Sequence, residues 1–316
     1  MTHRNSIPRT NLSIFPLNLG GNTFGWTSDR EGSFAVLDAF VEAGGNFIDT
    51  ADVYSAWAEG HSGGESETVL GEWLSARGRR EDVVIATKAG QHPEHSGQAR
   101  DTVHQAIDAS LNRLQTDYVD LYYAHFDDED VPVEDQARTY DEIVQSGKAR
   151  HIGISNYSPE RMRRWFEYAY VEQLALPVAI QPHYNLVTRK DFESGYAPIA
   201  REFDAAVFPY FSLASGFLTG KYRSLEDLRG IERQQLTEGY FSEEGLAVVA
   251  QLREIAERRD VEIPSVALAW LLAKGVTAPI ASARTTEQLP ALLEGASLSL
   301  TGDEVAALDR ASAPFA

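Results

Sequence analysis

Short apolar runs alternate with amphipathic stretches along the chain. Eight runs, several rich in Val, Ile, Tyr and Phe, read as strands: 17–20, 47–49, 83–88, 119–125, 151–155, 178–183, 205–210 and 277–282. Near-continuous apolar strands are what a parallel sheet covered on both faces requires. Between them, apolar residues at helical spacing cover 34–43, 66–77, 102–114 and 138–146. The punctuation agrees. Gly44 and Gly45 stop the first helix, and Ser158-Pro159 reads as an N-cap followed by proline at the first helical position. Thr285 to Gln288 and Thr301 to Glu304 both match the capping box. Eight strand–helix units predict an α/β chain closed into a (β/α)8 TIM barrel, with an open doubly wound sheet as the alternative.

Two stretches break the alternation. Residues 1–16 precede the first barrel strand and are expected to form an N-terminal hairpin plugging the bottom of the barrel. Residues 211–244 form a long connection without clean periodicity, and such loops in compact domains are usually functional or disordered. No repeat, low-complexity tract or linker divides the chain, so one domain over 1–316 is expected.

Composition narrows the function. Hydrophobic residues make up 43% and charged residues 24% of 316, ordinary for a globular protein. There is no cysteine, which excludes thiolate nucleophiles and Cys-ligated metals and fits a reducing compartment. A net charge of −19 argues against nucleic-acid partners, which need phosphate neutralisation. No apolar run approaches the roughly 18 residues of a membrane span, so a cytoplasmic protein without membrane association is expected. Whether it is a monomer or a homo-oligomer is left open.

In a parallel barrel, chemistry sits at the C-terminal strand ends. There the chain places Asp49 and, shortly after it, Tyr54; then Lys88, His125, Ser155-Asn156, Gln181 and Tyr210. Any one of these could be an ordinary solvated or capping residue. Asp, Tyr, Lys and His on three adjacent strands form a complementary set. A tyrosine hydroxyl, with a pKa of ~10, is a poor acid at neutral pH. A cation ~4 Å away, at an effective dielectric of about 20, is worth roughly 4 kcal/mol, or about three pKa units. Lys88 can supply that charge, Asp49 can hold Lys88 protonated, and His125 can bond a substrate oxygen. Such a set suits protonating an oxygen beside a hydride carrier.

The segments GGNTFG, NFIDTADVY, GGESETVLGEWL, VIATK, VDLYYAH, GKARHIGISNYS and YFSLASGFLTGKY resemble the aldo-keto reductase superfamily in order and spacing. The resemblance runs from about residue 13 to residue 310 and is to the branch of bacterial reductases and potassium-channel β subunits. It implies an NADP(H)-dependent oxidoreductase acting on an aldehyde, ketone or alcohol, with Asp49, Tyr54, Lys88 and His125 as the catalytic set. A cofactor-binding regulatory subunit with slow turnover is the alternative.

The resemblance also implies an extended NADPH without a Rossmann motif, and no G-x-G-x-x-G follows a strand. Carried over residue by residue, Ser155, Asn156 and Gln181 contact the carboxamide and Tyr210 stacks on the nicotinamide. Ser212, Leu213, Gly216 and Lys221 hold the pyrophosphate. Gly21 and Asn22 join the cofactor set with Asp49, and Ser282, Arg284 and Gln288 reach the adenosine end. The family's Glu-Asn pair is replaced by Ala291-Leu292, which leaves NADH as an alternative cofactor. GFLTGKY is not a P-loop, being one residue short between glycines and ending in Tyr222. Phe24, Trp26, Trp57 and Phe126, with Tyr54 and His125, are the expected substrate walls. His61, His92 and His95 are read as solvated loop residues without metal-ligand spacing.

Overall fold

Eight parallel strands form the centre of the computed structural model, which describes residues 4–230 and 234–316. They are β1 (Asn18–Gly20), β2 (Phe47–Asp49), β3 (Val84–Ala89), β4 (Val119–Ala124), β5 (Ala149–Ser155), β6 (Ala179–Gln181), β7 (Ala206–Val207) and β8 (Ile280–Ala281). Each pairs with its sequence neighbour, and β8 returns to pair with β1. Backbone bonds also join the β8 segment to the β7 segment, from Thr277 N–H to Val207 O and from Ile280 N–H to Pro209 O, both at 3.0 Å. These close the sheet into a (β/α)8 barrel. Strands β3 and β4 are buried along their whole length, as the unbroken apolar runs require.

The helices α1 (Arg30–Glu42), α2 (Glu65–Arg77), α3 (Arg100–Leu114), α4 (Val133–Gln145) and α5 (Pro159–Val171) follow the first five strands. Helix α1 begins at Arg30, ahead of the apolar pattern, because the Asp29 carboxylate caps Gly32 N–H. The Ser158 cap with Pro159 at the first position and the Thr301–Glu304 capping box both form. The box expected at Thr285 does not. Gln288 instead accepts a bond from Arg284 N–H at 2.8 Å, which ties the chain leaving β8.

Asn5–Ser6 and Ser13–Ile14 pair as the N-terminal hairpin. Its Ile7, Leu12 and Ile14 pack into the apolar cluster that holds Phe47, Val84, Leu121, Val178 and Phe208, stoppering the N-terminal end of the barrel. Full burial of such side chains contributes about 1.5–3 kcal/mol each. The connection after β7 includes short helical pieces at Ala214–Thr219, Leu225–Leu228 and Gln234–Glu238. Among the described residues no helix is long and apolar enough to cross a membrane.

Candidate active site

Side chains in a strand alternate between two faces, so each barrel strand sends every second residue inward. Toward the stoppered end those positions are apolar: Phe47, Val84 and Ala86, Leu121 and Tyr123, Ala179, Ala206 and Phe208, Ile280. Two residues further on, the same phase gives Asp49, Lys88, His125, Gln181, Tyr210 and Ser282. The polar mouth is thus the apolar barrel interior continued by one more step of the alternation.

Lys88 Nζ donates to Asp49 Oδ2 at 2.5 Å, to the Thr50 carbonyl at 2.7 Å and to the Tyr54 hydroxyl at 3.2 Å. The other Asp49 oxygen accepts from Gln181 Nε2 at 2.9 Å. Tyr54 lies on the loop after β2, with its ring centroid 4.8 Å from Lys88 Nζ and 6.1 Å from the His125 ring. That loop is fastened by Glu65, whose carboxylate accepts the N–H groups of Ser55, Ser62 and Gly63.

Burial is the largest single influence on Lys88 and works to lower its pKa, but the Asp49 and Tyr54 charges and the hydrogen bonds to both together hold the ammonium above its ordinary value. Burial raises Asp49, restrained by Lys88. For Tyr54 burial is the largest influence and the net direction is upward from 10, with the Lys88 charge opposing it. The depression of Tyr54 expected from Lys88 is therefore present only as an opposing contribution. Burial, reinforced by Lys88, pushes His125 well below the usual histidine range, so its imidazole is neutral at neutral pH. Its Nδ1 is sequestered without a hydrogen-bond partner among the described residues.

Trp57 is 50% exposed and Phe126 39% exposed, and both face the opening. Trp57 meets the Tyr54 ring at 5.6 Å and the Trp26 ring at 5.4 Å, while Phe126 meets His125 at 4.9 Å. Phe24 does not join them. It is 0% exposed and packs inside the core, in a turn where its N–H donates to Gly21 O at 3.0 Å. His92 is likewise not a solvated loop residue; it is buried, accepts from Glu94 N–H and stacks on His95.

The other half of the mouth is polar. Asn156 Nδ2 donates to His125 O at 2.8 Å and to Ser155 Oγ at 3.0 Å, and its Oδ1 accepts from the Tyr210 hydroxyl at 2.9 Å. Ser155 Oγ donates to Gln181 O. Gln181 Nε2 is engaged with Asp49. One face of Tyr210 is covered by His183, whose ring stacks at 5.2 Å, a backing that escaped the sequence reading. Ser282 Oγ donates to Asn22 Oδ1 at 2.6 Å, joining β8 to the turn after β1, where Gly21 N–H bonds Asp49 O.

Beyond β7 the backbone turns through positive φ at Phe211, Ala214, Ser215 and Gly216, a conformation associated with anion-holding concavities. Ser212 Oγ anchors this turn to Pro209 O, and Leu213 leads into it. Ser215 Oγ is buried there without a partner among the described residues. A Cβ added at Gly216 would lie 3.3 Å from Lys221 Nζ, so the ammonium stands directly over that glycine. An orphaned hydroxyl, a Cβ-free cradle and a cation together fit a phosphate-bearing group. Ser215 carried no sequence signal, because its importance comes from a backbone turn. Arg284 and Gln288 lie exposed on the loop after β8.

A family model described as the aldo/keto reductase family matches residues 16–313. The chain belongs to this family. It is 33% identical to norsolorinic acid reductase stcV of Emericella nidulans, over 96% of this chain and 79% of the relative. It is 30% identical to the aryl-alcohol dehydrogenase [NADP(+)] of Phanerodontia chrysosporium, over 96% and 84%. A probable voltage-gated potassium channel subunit beta of Oryza sativa subsp. japonica is 30% identical over 91% and 88%. As an aldo/keto reductase, this barrel is an oxidoreductase for small carbonyl compounds working with a nicotinamide cofactor.

Proposed function

We propose that the chain is an NADP(H)-dependent carbonyl reductase, running as an alcohol dehydrogenase in reverse, with Tyr54 as general acid and base. The observation that carries this reading is the Lys88 ammonium, bonded at once to the buried Asp49 carboxylate and to the Tyr54 hydroxyl.

The nicotinamide, when bound, supplies or accepts hydride. Tyr54 delivers the proton that the carbonyl oxygen takes up on reduction, and Lys88 stabilises the phenolate left behind. That stabilisation counts most where burial has raised Tyr54, since it lowers the charged form alone. Neutral His125, with no acceptor for a proton on Nδ1 among the described residues, bears it on Nε2 and orients the substrate oxygen. Asp49 holds Lys88 charged and in place.

Ser155, Asn156, Gln181 and Tyr210 would hold the nicotinamide end. Ser212, Leu213, Ser215, Gly216 and Lys221 would hold the pyrophosphate, with Gly21 and Asn22 beside it. Ser282, Arg284 and Gln288 would hold the adenosine end. The preference for the 2′-phosphate rests on Arg284, whose planar fork suits phosphate.

The test is Tyr54→Phe. Turnover of a carbonyl panel, followed by NADPH absorbance, is expected to collapse while NADPH binding, followed by its fluorescence, is nearly unchanged. Substantial turnover in the variant overturns the Tyr54 role. Wild-type binding of NADPH without turnover of any carbonyl favours the regulatory-subunit reading instead.

A further inference from the structure

Charge at the mouth is divided by position around the barrel. The four loops after β1 to β4, residues 21–29, 50–64, 90–99 and 125–132, contain no Lys or Arg. Apart from Asp29, which caps α1, they carry exposed carboxylates at Glu59, Glu94, Glu129 and Asp130. Cations near this half are engaged elsewhere. Lys88 is enclosed with Asp49, Arg161 is spent on Asp127, and Arg30 and Arg100 at the helix starts pair with Glu72 and Glu142. Lys221 stands after β7, and Arg284 follows β8 at the border with the loop after β1, where Thr23 Oγ1 donates to Ala283 O.

The same acidic half holds the aromatic wall. Trp57 and Phe126 are exposed and touch Tyr54 and His125. A flat apolar ring placed against them gains edge and face contacts. An anion entering here loses hydration, meets no Lys or Arg of these four loops, and approaches a surface of its own sign.

We propose that this half of the mouth selects uncharged aromatic aldehydes and ketones and rejects carbonyl compounds bearing a carboxylate or phosphate. The proposal rests on the reductase reading above, and it assigns Trp57, Phe126 and the four exposed acids to specificity.

Two near-isosteric substrates test it, 4-formylbenzamide and 4-carboxybenzaldehyde, with NADPH and the full chain. At low ionic strength kcat/KM is expected to be at least about tenfold lower for the carboxylate. The gap narrows with added salt, as the screening length falls from ~30 Å at 0.01 M to ~8 Å at 0.15 M. Replacing the four acids together (E59Q, E94Q, E129Q, D130N) narrows the gap and leaves the amide unchanged. Trp57→Leu raises KM for the amide about fivefold more than for butanal, which cannot stack. Equal kcat/KM for the two benzaldehydes at low salt overturns the charge selection. An unchanged amide-to-butanal ratio in Trp57→Leu overturns the aromatic selection. Failure to reduce any of the three aldehydes overturns the reductase reading itself, a result distinct from both.

Discussion

Lys88 Nζ lies 2.5 Å from Asp49 Oδ2, and the two side chains are only 0% and 2% exposed. Two charges have been taken out of water at the open end of an otherwise apolar interior. Their attraction, with the bonds from Gln181 and to Thr50 O, offsets that desolvation without making the pair a large net source of stability. It keeps a cation 3.2 Å from the Tyr54 hydroxyl, which on the proposed reading is its chemical value.

Breaking the pair on one side leaves a lone buried charge. Asp49→Asn and Lys88→Met are each expected to lower the unfolding free energy by about 3–5 kcal/mol, measured by urea denaturation. The double variant recovers most of that loss, because no uncompensated charge remains, while activity stays abolished. A double variant as unstable as the worse single would refute this account of the pair.

Asp52, close behind the mouth, is 1% exposed. Burial, then the nearby Glu67 charge, raises its pKa well above the carboxylate range, and Arg113 only partly opposes this. In the unfolded chain the carboxyl titrates near ~3.9. Above that pH, and up to the raised folded value, the native state binds more protons than the unfolded state. Stability from this group is thus fully present below the unfolded pKa and is lost as pH rises through the folded one. Asp52→Asn removes the loss. The variant should match the wild type near pH 4 and be the more stable of the two at pH 8. A constant difference across that range would show that Asp52 does not titrate in this way.

Much of this site is legible in the chain, and for a physical reason. The period-2 rule that fills the barrel with Phe47, Val84 and Leu121 also dictates where Asp49, Lys88 and His125 must point. Tyr54 is recognisable by its spacing from Asp49. What the residues do not announce depends on distant packing. The depth of Phe24, the diversion of Gln181 to Asp49, the His183 backing of Tyr210 and the orphaned Ser215 hydroxyl arise from loops whose course no local pattern encodes. The start of α1 was readable from Asp29, but an N-cap outside the apolar stripe is easily passed over.

Helices α2 and α3 meet at Gly71. A Cβ there would stand 2.0 Å from Arg113 O, a rigid backbone atom. Gly71→Ala would ordinarily favour a helix by ~1 kcal/mol, but here the two helices must separate. A net loss of about 1–3 kcal/mol is expected, the range for overpacking. Gly302→Ala is the control. It lies at the start of Gly302–Ala311 with nothing within 4 Å of the added atom. Its effect should stay within about 0.5 kcal/mol. Equal effects at both glycines would dismiss the packing argument.

On the proposed reading, Arg284 is the residue that distinguishes the two nicotinamide cofactors. Leu292 belongs to the core and the Ala291 carbonyl accepts from Ser265, so neither replaces the Glu-Asn pair of relatives as an adenine contact. Gln288 holds the Arg284 backbone by its N–H, leaving the exposed guanidinium to reach outward. Losing a charge-assisted bond to phosphate costs about 1.5–3 kcal/mol. Arg284→Gln should therefore weaken NADPH by about tenfold to a hundredfold and NADH by less than about twofold, read by fluorescence titration. Equal weakening of both would move Arg284 from the 2′-phosphate to the shared adenosine. No weakening of either would remove it from the cofactor site, since an exposed arginine with no ligand to hold has no other route to a cofactor-specific effect.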